Sequence, residues 1–425
     1  MKALIIGAGE EALHTIQKAK EAGLTVVAMD GNPKAAGLKE ADEAVVVNIS
    51  EETEAVAAAQ RIKPDFLLTV PVGRYLTTTG AVNDTLGLPG IGKAAAENCT
   101  DKWQFHRLLE KEGLRSAKCS LLTGRETAGE WEEILGNFPY PAVLKPRYGS
   151  GSRGIFVVKH EGEAARVLEE LYGEHRPVEA GEAKEHDQDY LLEECIEGEE
   201  YGIDGAVIGG KFRLILLRRK ENTPFPARQA VAYFSVQPSD AFYGQAEEYL
   251  KQVLKVLNLQ ECLVHGDLLR TRKGPFVIEL SARPSGHNLH NLFTPLATGV
   301  DMAKEYIAYR MGKSCSFTPA YTKKLMIHYF DLEGDVNYVP SEEEVNKLMQ
   351  EKGYRLLQWN CRIKPGERLE KVSDGHSLMG RGYYILEEGE DGGGKSPLNE
   401  GENKDVGFTQ AAKAIRALLL GEKRF

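Results

Sequence analysis

Cysteine is sparse in this chain: six residues, at positions 99, 119, 195, 262, 315 and 361, with no C-x-x-C pair. That leaves no zinc-ligand spacing and no disulfide framework, and a reducing cytoplasm is the simplest setting. Long apolar runs are absent too, since no stretch reaches the roughly 20 residues that cross a bilayer. Met1-Lys2 leads straight into an apolar segment, with no signal-peptide pattern. Positive charge is in deficit, 53 Lys and Arg against 63 Asp and Glu. A general nucleic-acid binder shows a basic surface, so the expectation is no nucleic acid and no membrane as partner. There is no internal repeat. No Gly-Lys-Ser/Thr opens a helix, hence there is no Walker A loop.

What is present is enough for several cores. The chain has 425 residues, 42% of them apolar, a length that suits two to four domains. Residues 2–7 read as a buried parallel strand and Glu10 to Ala22 as a helix. Thr25 to Met29 reads as a second strand ending at Asp30, with further strands at 44–48 and 65–70 around a helical pattern at 51–62. This βαβ alternation predicts an α/β chain that begins with a doubly wound sheet. A helix is expected from Gly92 to Glu112, strands at 190–196 and 201–208, and a helix at 244–257. Near the end, strands at 324–330, 354–358 and 382–387 accompany helices at 341–351 and 408–420. Residues 173–189 read as an exposed insert and 388–405 as a low-complexity acidic loop.

The segment Pro141 to Val158 is the most informative. An apolar strand ends in Lys145, a Gly/Ser loop follows, and a second apolar strand begins at Ile155. Such a tip exposes backbone N–H groups with little side-chain bulk, and these can wrap phosphate oxygens beside the lysine charge. An ordinary hairpin is the bland alternative. The first turn also holds Gly7-Ala8-Gly9-Glu10-Glu11-Ala12, a G-x-G-x-x-A match, with Asp30 near the place of a ribose-binding acid. Read literally, that is an NAD fingerprint. Small residues are equally what any close helix–strand turn requires.

Two further clusters carry chemistry. In Leu191 to Tyr201, a strand end and turn place the backbone of Glu194, Cys195 and Ile196 at an edge that could pair with adenine. Glu200 stands where it could accept from ribose hydroxyls, and a solvated acidic turn is the alternative. Downstream, two antiparallel strands would bring Asp267 and Glu279 onto one face, with Ser281 on the same face as Glu279. Two carboxylates and a hydroxyl suit Mg²⁺, which completes its shell with phosphate oxygens and water. Arg283 lies just beyond, a donor fork suited to a phosphoryl group or a carboxylate.

Lys102, the Lys145 hairpin, the segment Glu193 to Glu200 and the Asp267/Glu279 pair stand in the order found in the ATP-grasp superfamily. Over nearly its whole length the chain resembles the carboxylate–amine ligases of that superfamily, in the branches of phosphoribosylglycinamide synthetase, biotin carboxylase, carbamoyl-phosphate synthetase and L-amino-acid ligase. The resemblance implies a Rossmann-like domain over 1–98 that does not bind NAD. It implies an ATP-grasp domain over 99–310, with a phosphate-lid lobe at about 118–190 and a metal lobe at about 191–310, and a C-terminal α+β extension over 311–425. It further implies ATP held at its phosphates by Lys102 and Lys145 under a lid of Gly149, Ser150, Gly151, Ser152 and Gly154. Adenine would go to Glu193 and the backbone of 194–196, and ribose to Glu200. Mg²⁺, or Mn²⁺ in its place, would go to Asp267 and Glu279 with Ser281. Arg283 and Lys145 would be the catalytic residues. The family usually has Glu where Asp267 stands and Asn where Ser281 stands; both residues still supply oxygens.

The implied reaction activates a carboxylate as an acyl-phosphate, with release of ADP, and joins it to an amine. The substrates expected are small carboxylates and amines, amino acids among them, and a homodimer is left open. Arg218, Arg219, Lys220 and Arg228 form a basic cluster read as a carboxylate or phosphate site, with a solvated strand edge as the alternative. His287 and His290 follow Arg283 and face either the substrate or a polar lining. Two other functions compete: a non-catalytic ATP-binding regulator, and an NAD-dependent oxidoreductase using the N-terminal turn.

Overall fold

A computed structural model describes residues 1–149, 154–172, 189–224, 228–372, 375–389 and 405–421. Three main sheets organise it. The first is parallel, in the order Glu43–Val46, Thr25–Asp30, Lys2–Ile6, Phe66–Leu68. Its strand Lys2–Ile6 is apolar and buried from Ala3 to Ile6 because both faces are covered. Ala3 and Ile5 pack toward Ile16 and Ala19 of helix Leu13–Glu21, while Leu4 and Ile6 pack toward Ala55 and Ala58 of helix Glu52–Ile62.

The second sheet is antiparallel, in the order Cys119–Leu122, Tyr190–Glu194, Ala142–Pro146, Phe156–Val158. Leu122, Leu144 and Leu192 bury one face with Leu135 and Leu168, which lie on helices Ala128–Gly136 and Glu161–Tyr172. The third sheet has eight strands, all neighbours antiparallel. Their order is Gly274–Ser281, Cys262–Thr271, Glu199–Ile208, Lys211–Asn222, Ala230–Ser235, Leu325–Tyr329, Gly382–Glu388, Tyr354–Cys361. The strands after residue 311 extend this same sheet, so the boundary drawn at 310/311 does not separate two sheets. The chain crosses from the second sheet to the third between Glu194 and Glu199.

The α/β class expected from sequence is the one observed. The single helix expected from Gly92 to Glu112 is instead two, Lys93–Thr100 and Lys102–Lys111. Asp101 breaks it: its backbone is extended (φ −92°, ψ 102°), and its side chain accepts from Trp103 N–H and Gln104 N–H as an N-cap. Helix Leu76–Leu86 escaped the sequence reading because its Thr-rich, nearly uniform face lacks a helical period. The insert at 173–188 and the acidic loop at 390–404 lie outside the described residues.

Candidate active site

One cleft is lined by Arg74, Lys102, Gly149, His265, Glu279, Ser281 and Arg283. Five of these are residues singled out from sequence, and they come from three separate elements. Lys102 opens helix Lys102–Lys111, and its Nζ donates to Gly149 O at 3.0 Å. Burial lowers its pKa; Lys145 lowers it further, against the opposing pull of Glu279 and Glu193. Ser150, Gly151 and Ser152 of the expected phosphate loop lie outside the described residues. Gly154 has φ +68°, and a Cβ there would stand 3.0 Å from the Tyr190 hydroxyl, so the loop's return requires glycine.

Lys145 is buried on strand Ala142–Pro146. Val143 is in register with Glu193 on the neighbouring strand, so Lys145 and Glu193 are diagonal neighbours on one face and form an ion pair. His106 Nε2 lies 2.7 Å from the other oxygen of Glu193, and His106 Nδ1 lies 2.9 Å from Ser116 Oγ. Burial alone would raise the Glu193 pKa; Lys145 and His106 outweigh it and bring it down to about 2. The resemblance gave Glu193 to adenine, but its carboxylate turns inward to Lys145, because strand alternation sends Glu193 to the opposite face from Glu194. In the turn, Glu194 N–H donates to Lys118 O at 2.9 Å and Cys195 N–H to Pro141 O at 3.2 Å. The Ile196 N–H bonds to no protein group among the described residues. Glu200 is held by Asn222 Nδ2 at 2.8 Å and by an ion pair with Arg228.

The eight-stranded sheet sets the other wall. Asp267 is in register with Glu279, and His265 with Ser281, as the strand pattern required. Lys220 reaches Asp267 across Gly202, where a Cβ would come within 3.3 Å of Lys220 Cε. Burial would raise the Asp267 pKa, but Lys220 and His265 hold it below the ordinary value. Asp267 Oδ1 is buried without a hydrogen-bond partner among the described residues, and Glu279 is exposed to the cleft. Lys220 and His265 are functional-site neighbours that the sequence reading did not assign to this place; their spacing on two strands was the available signal.

A magnesium ion fits this donor set in part. Among the described residues no three His, Cys, Asp or Glu side chains gather as a metal cluster. Asp267 Oδ1 and Glu279 are therefore a pair that needs phosphate oxygens and water to complete a shell.

Arg283 follows the strand end. Its Nη1 donates to Pro284 O at 2.9 Å, while Nε is buried without a partner among the described residues. Beside it lies Glu11, delivered by the first turn of the N-terminal sheet. Glu11 Oε1 accepts from His287 N–H at 2.7 Å, and burial raises the Glu11 pKa despite that bond and the nearby Arg283. No ion pair joins Glu11 and Arg283. His287 and Asn288 both hold left-handed backbone, φ 59° and 57°, which presents that N–H to Glu11. His290 is fully buried, with Nδ1 on Ser285 O.

Arg218 corrects an expectation. It is 0% exposed on an inner strand of the sheet, paired with Asp204 and 3.2 Å from Thr294 Oγ1. Its charge is matched inside the protein, so neither substrate binding nor a solvated strand edge describes it. Arg228 likewise meets Glu200 before any substrate. Residues 225–227, which precede Arg228, lie outside the described residues.

The N-terminal turn does not fit NAD. Asp30 Oδ2 accepts from Ala8 N–H at 2.6 Å and Oδ1 from Asn32 N–H at 2.8 Å, so the would-be ribose acid closes its own turn. A Cβ at Gly7 would collide with Val72 at 2.3 Å, and Gly37 packs on Ala8 O. The glycines serve packing here. No helix among the described residues is long and apolar enough to cross a membrane, and all six cysteines are unpaired.

Residues 138–290 match the model of the ATP-grasp domain. The chain is 26% identical over 222 residues to an alanine–anticapsin ligase of Bacillus subtilis, covering 48% of this chain and 46% of that one. The chain spans about half the length of the first curated relatives it matches. In fold it resembles an L-amino acid ligase from Bacillus licheniformis, with a TM-score of 0.70 at 18% identity over 91% of this chain and 93% of that one. It also resembles a phosphoribosylglycinamide synthetase from Anaerococcus prevotii, with a TM-score of 0.65 at 18% identity over 91% and 94%.

Proposed function

We propose, from the premise that this chain carries an ATP-grasp domain, that it is an ADP-forming ligase joining a small carboxylate to an amine. The observation that carries the reading is the convergence of Lys102, Gly149, Glu279, Ser281 and Arg283 on one cleft, with Lys145 close behind Lys102. ATP would supply the phosphoryl group that turns a carboxylate oxygen into a leaving group. Lys102 and Lys145 would hold its phosphates, and the Ile196 N–H would meet the adenine edge. Asp267 Oδ1 and Glu279 would hold Mg²⁺. Phosphoryl transfer asks the protein mainly for positioning and charge neutralisation, which these groups provide without a nucleophilic side chain.

Arg283 and Glu11 favour an amino acid as one substrate. They are opposite charges, half-buried and within each other's electrostatic reach, yet unpaired with each other. A molecule bearing both a carboxylate and an ammonium would satisfy both, and buried charges favour ligands that pair them. The alanine–anticapsin ligase is a relative whose name states an amino-acid substrate.

The test is phosphate release from ATP and Mg²⁺ with a panel of amino acids supplied singly and in pairs. Release that depends on an amino acid supports a ligase. Tight ATP binding with no release for any pair would favour the regulator instead. Parallel titration with NADH checks the N-terminal turn, where no binding is expected.

A further inference from the structure

Lys102 and Lys145 carry like charges and come from different elements, a helix start and a strand end. Burial is the main cause that lowers the Lys102 pKa and Lys145 adds to it, so the two ammonium groups lie within each other's electrostatic reach. Lys145 pairs with Glu193 on its own sheet and Lys102 Nζ reaches Gly149 O, so the seating of the helix start against the strand end is set by other contacts.

Arg147 makes such contacts. It sits two residues beyond Lys145. Its guanidinium grips Asp101 as a fork, Nε to Oδ1 at 3.0 Å and Nη2 to Oδ2 at 2.6 Å, and its Nη1 reaches Asp189 Oδ2 at 2.9 Å. Asp101 immediately precedes Lys102 and is the cap that starts its helix. The Tyr148 hydroxyl donates to the same carboxylate at 3.1 Å. Two backbone bonds run in parallel: Lys102 N–H to Arg147 O at 3.3 Å, and Arg147 N–H to Asp189 O at 2.8 Å. Asp101 and Asp189 are 5% and 3% exposed, so the fork is shielded from solvent competition.

We propose that Arg147, acting through Asp101, is a positioning residue that fixes the spacing of the two phosphate-binding lysines; this rests on the ligase reading above and deepens it. One carboxylate serves as helix cap and as fork partner at once, so the direction of Lys102 is set from the strand that bears Lys145. Only a planar, bidentate donor can hold Asp101 by two parallel bonds and still reach Asp189. Lysine keeps the charge and loses the geometry.

The test compares ATP affinity, measured by direct binding, in the unaltered chain and in Arg147→Lys, Arg147→Met, Asp101→Asn and the double variant Arg147→Met/Asp101→Asn. Arg147→Met is expected to weaken ATP binding on the order of 10- to 100-fold, the scale of a displacement of about 1 Å at a site. Arg147→Lys should recover only a small part of that. Asp101→Asn retains a capping side chain and should keep the melting temperature near its original value while still weakening ATP. The double variant should lose no more than Arg147→Met alone, because the two residues act as one unit. The KM for the amino-acid substrate should stay within about twofold, because Glu11 and Arg283 lie outside the fork.

A merely structural fork would lower the melting temperature and leave ATP affinity unchanged in the folded protein, and that result overturns the proposal. Additive losses in the double variant would overturn it too. If the unaltered chain failed to bind ATP, the ligase reading would fall first and this inference with it. Binding by the unaltered chain with equal binding by every variant would remove the inference alone.

Discussion

Lys220 Nζ lies 2.5 Å from Asp267 Oδ2, while Asp267 Oδ1 has no hydrogen-bond partner among the described residues. The carboxylate proposed for the metal is thus half engaged by a buried lysine and half open. Lys220→Met would leave that carboxylate buried and uncompensated, at a cost of about 3–5 kcal/mol. A lower melting temperature is expected without ligand. Mg²⁺ with a non-hydrolysable ATP analogue should recover more of it than in the unaltered chain. Equal ligand-induced shifts in both proteins would place Asp267 outside the metal site.

Glu279→Gln should raise the Mg²⁺ midpoint for activity several-fold and leave metal-free nucleotide affinity nearly unchanged. Glu279 is exposed and makes no ion pair among the described residues, so stability should move by no more than about 0.5 kcal/mol. A magnesium titration of phosphate release checks it, and an unmoved midpoint removes Glu279 as a ligand.

Arg283→Lys should keep ATP binding and lose on the order of 10²-fold in turnover, the scale of one preorganised donor. The guanidinium lies beside the cleft with Nε unpartnered among the described residues, while the groups proposed for adenine and ribose are on the 194–200 segment. Steady-state kinetics with direct nucleotide binding separates the two effects. Near-full turnover would move the substrate away from Arg283.

Lys145→Met should abolish ATP-dependent turnover, but the single substitution also strands Glu193, which is 6% exposed between Lys145 and His106. The double variant Lys145→Met/Glu193→Gln removes both charges and should melt higher than the single variant while remaining inactive. Activity in the double variant would show that Lys145 does not serve the phosphates.

Acid should destabilise the fold in two stages. Burial pushes His290 from 6.5 to about 4, so between those values the unfolded chain binds a proton that the fold does not, and stability falls as pH falls. Glu193, lowered from 4.5 to about 2, adds a loss that begins below pH 4.5 and is complete once its folded pKa is passed. Burial pushes His265 down to about 4 as well, so it shares the first stage. Melting curves across pH 3–7 test this, and His290→Gln should shrink the first stage and leave the second unchanged. An unchanged first stage in that variant would assign it to other groups.

Some of this was legible in order alone. A strand ending in Lys145, a Gly/Ser loop, and two carboxylates twelve residues apart on an expected hairpin give the walls proposed for phosphate and metal. Those signals are local, because a glycine loop needs φ freedom and a hairpin enforces period two. The G-x-G-x-x-A turn is ambiguous for the same reason: packing and phosphate binding ask for the same small residues, and only Asp30 closing on Ala8 separates them.

The sequence by itself determined the α/β class, the apolar strands and the order in which the candidate phosphate and metal residues arrive. Tertiary structure decided which charges meet. Glu193 turned to Lys145, Arg218 closed on Asp204, Lys220 crossed Gly202 to Asp267, and Glu11 came 276 residues along the chain to the His287 turn. Propensity and periodicity act over a few residues, whereas a buried charge takes its partner from whatever element the sheet order sets beside it.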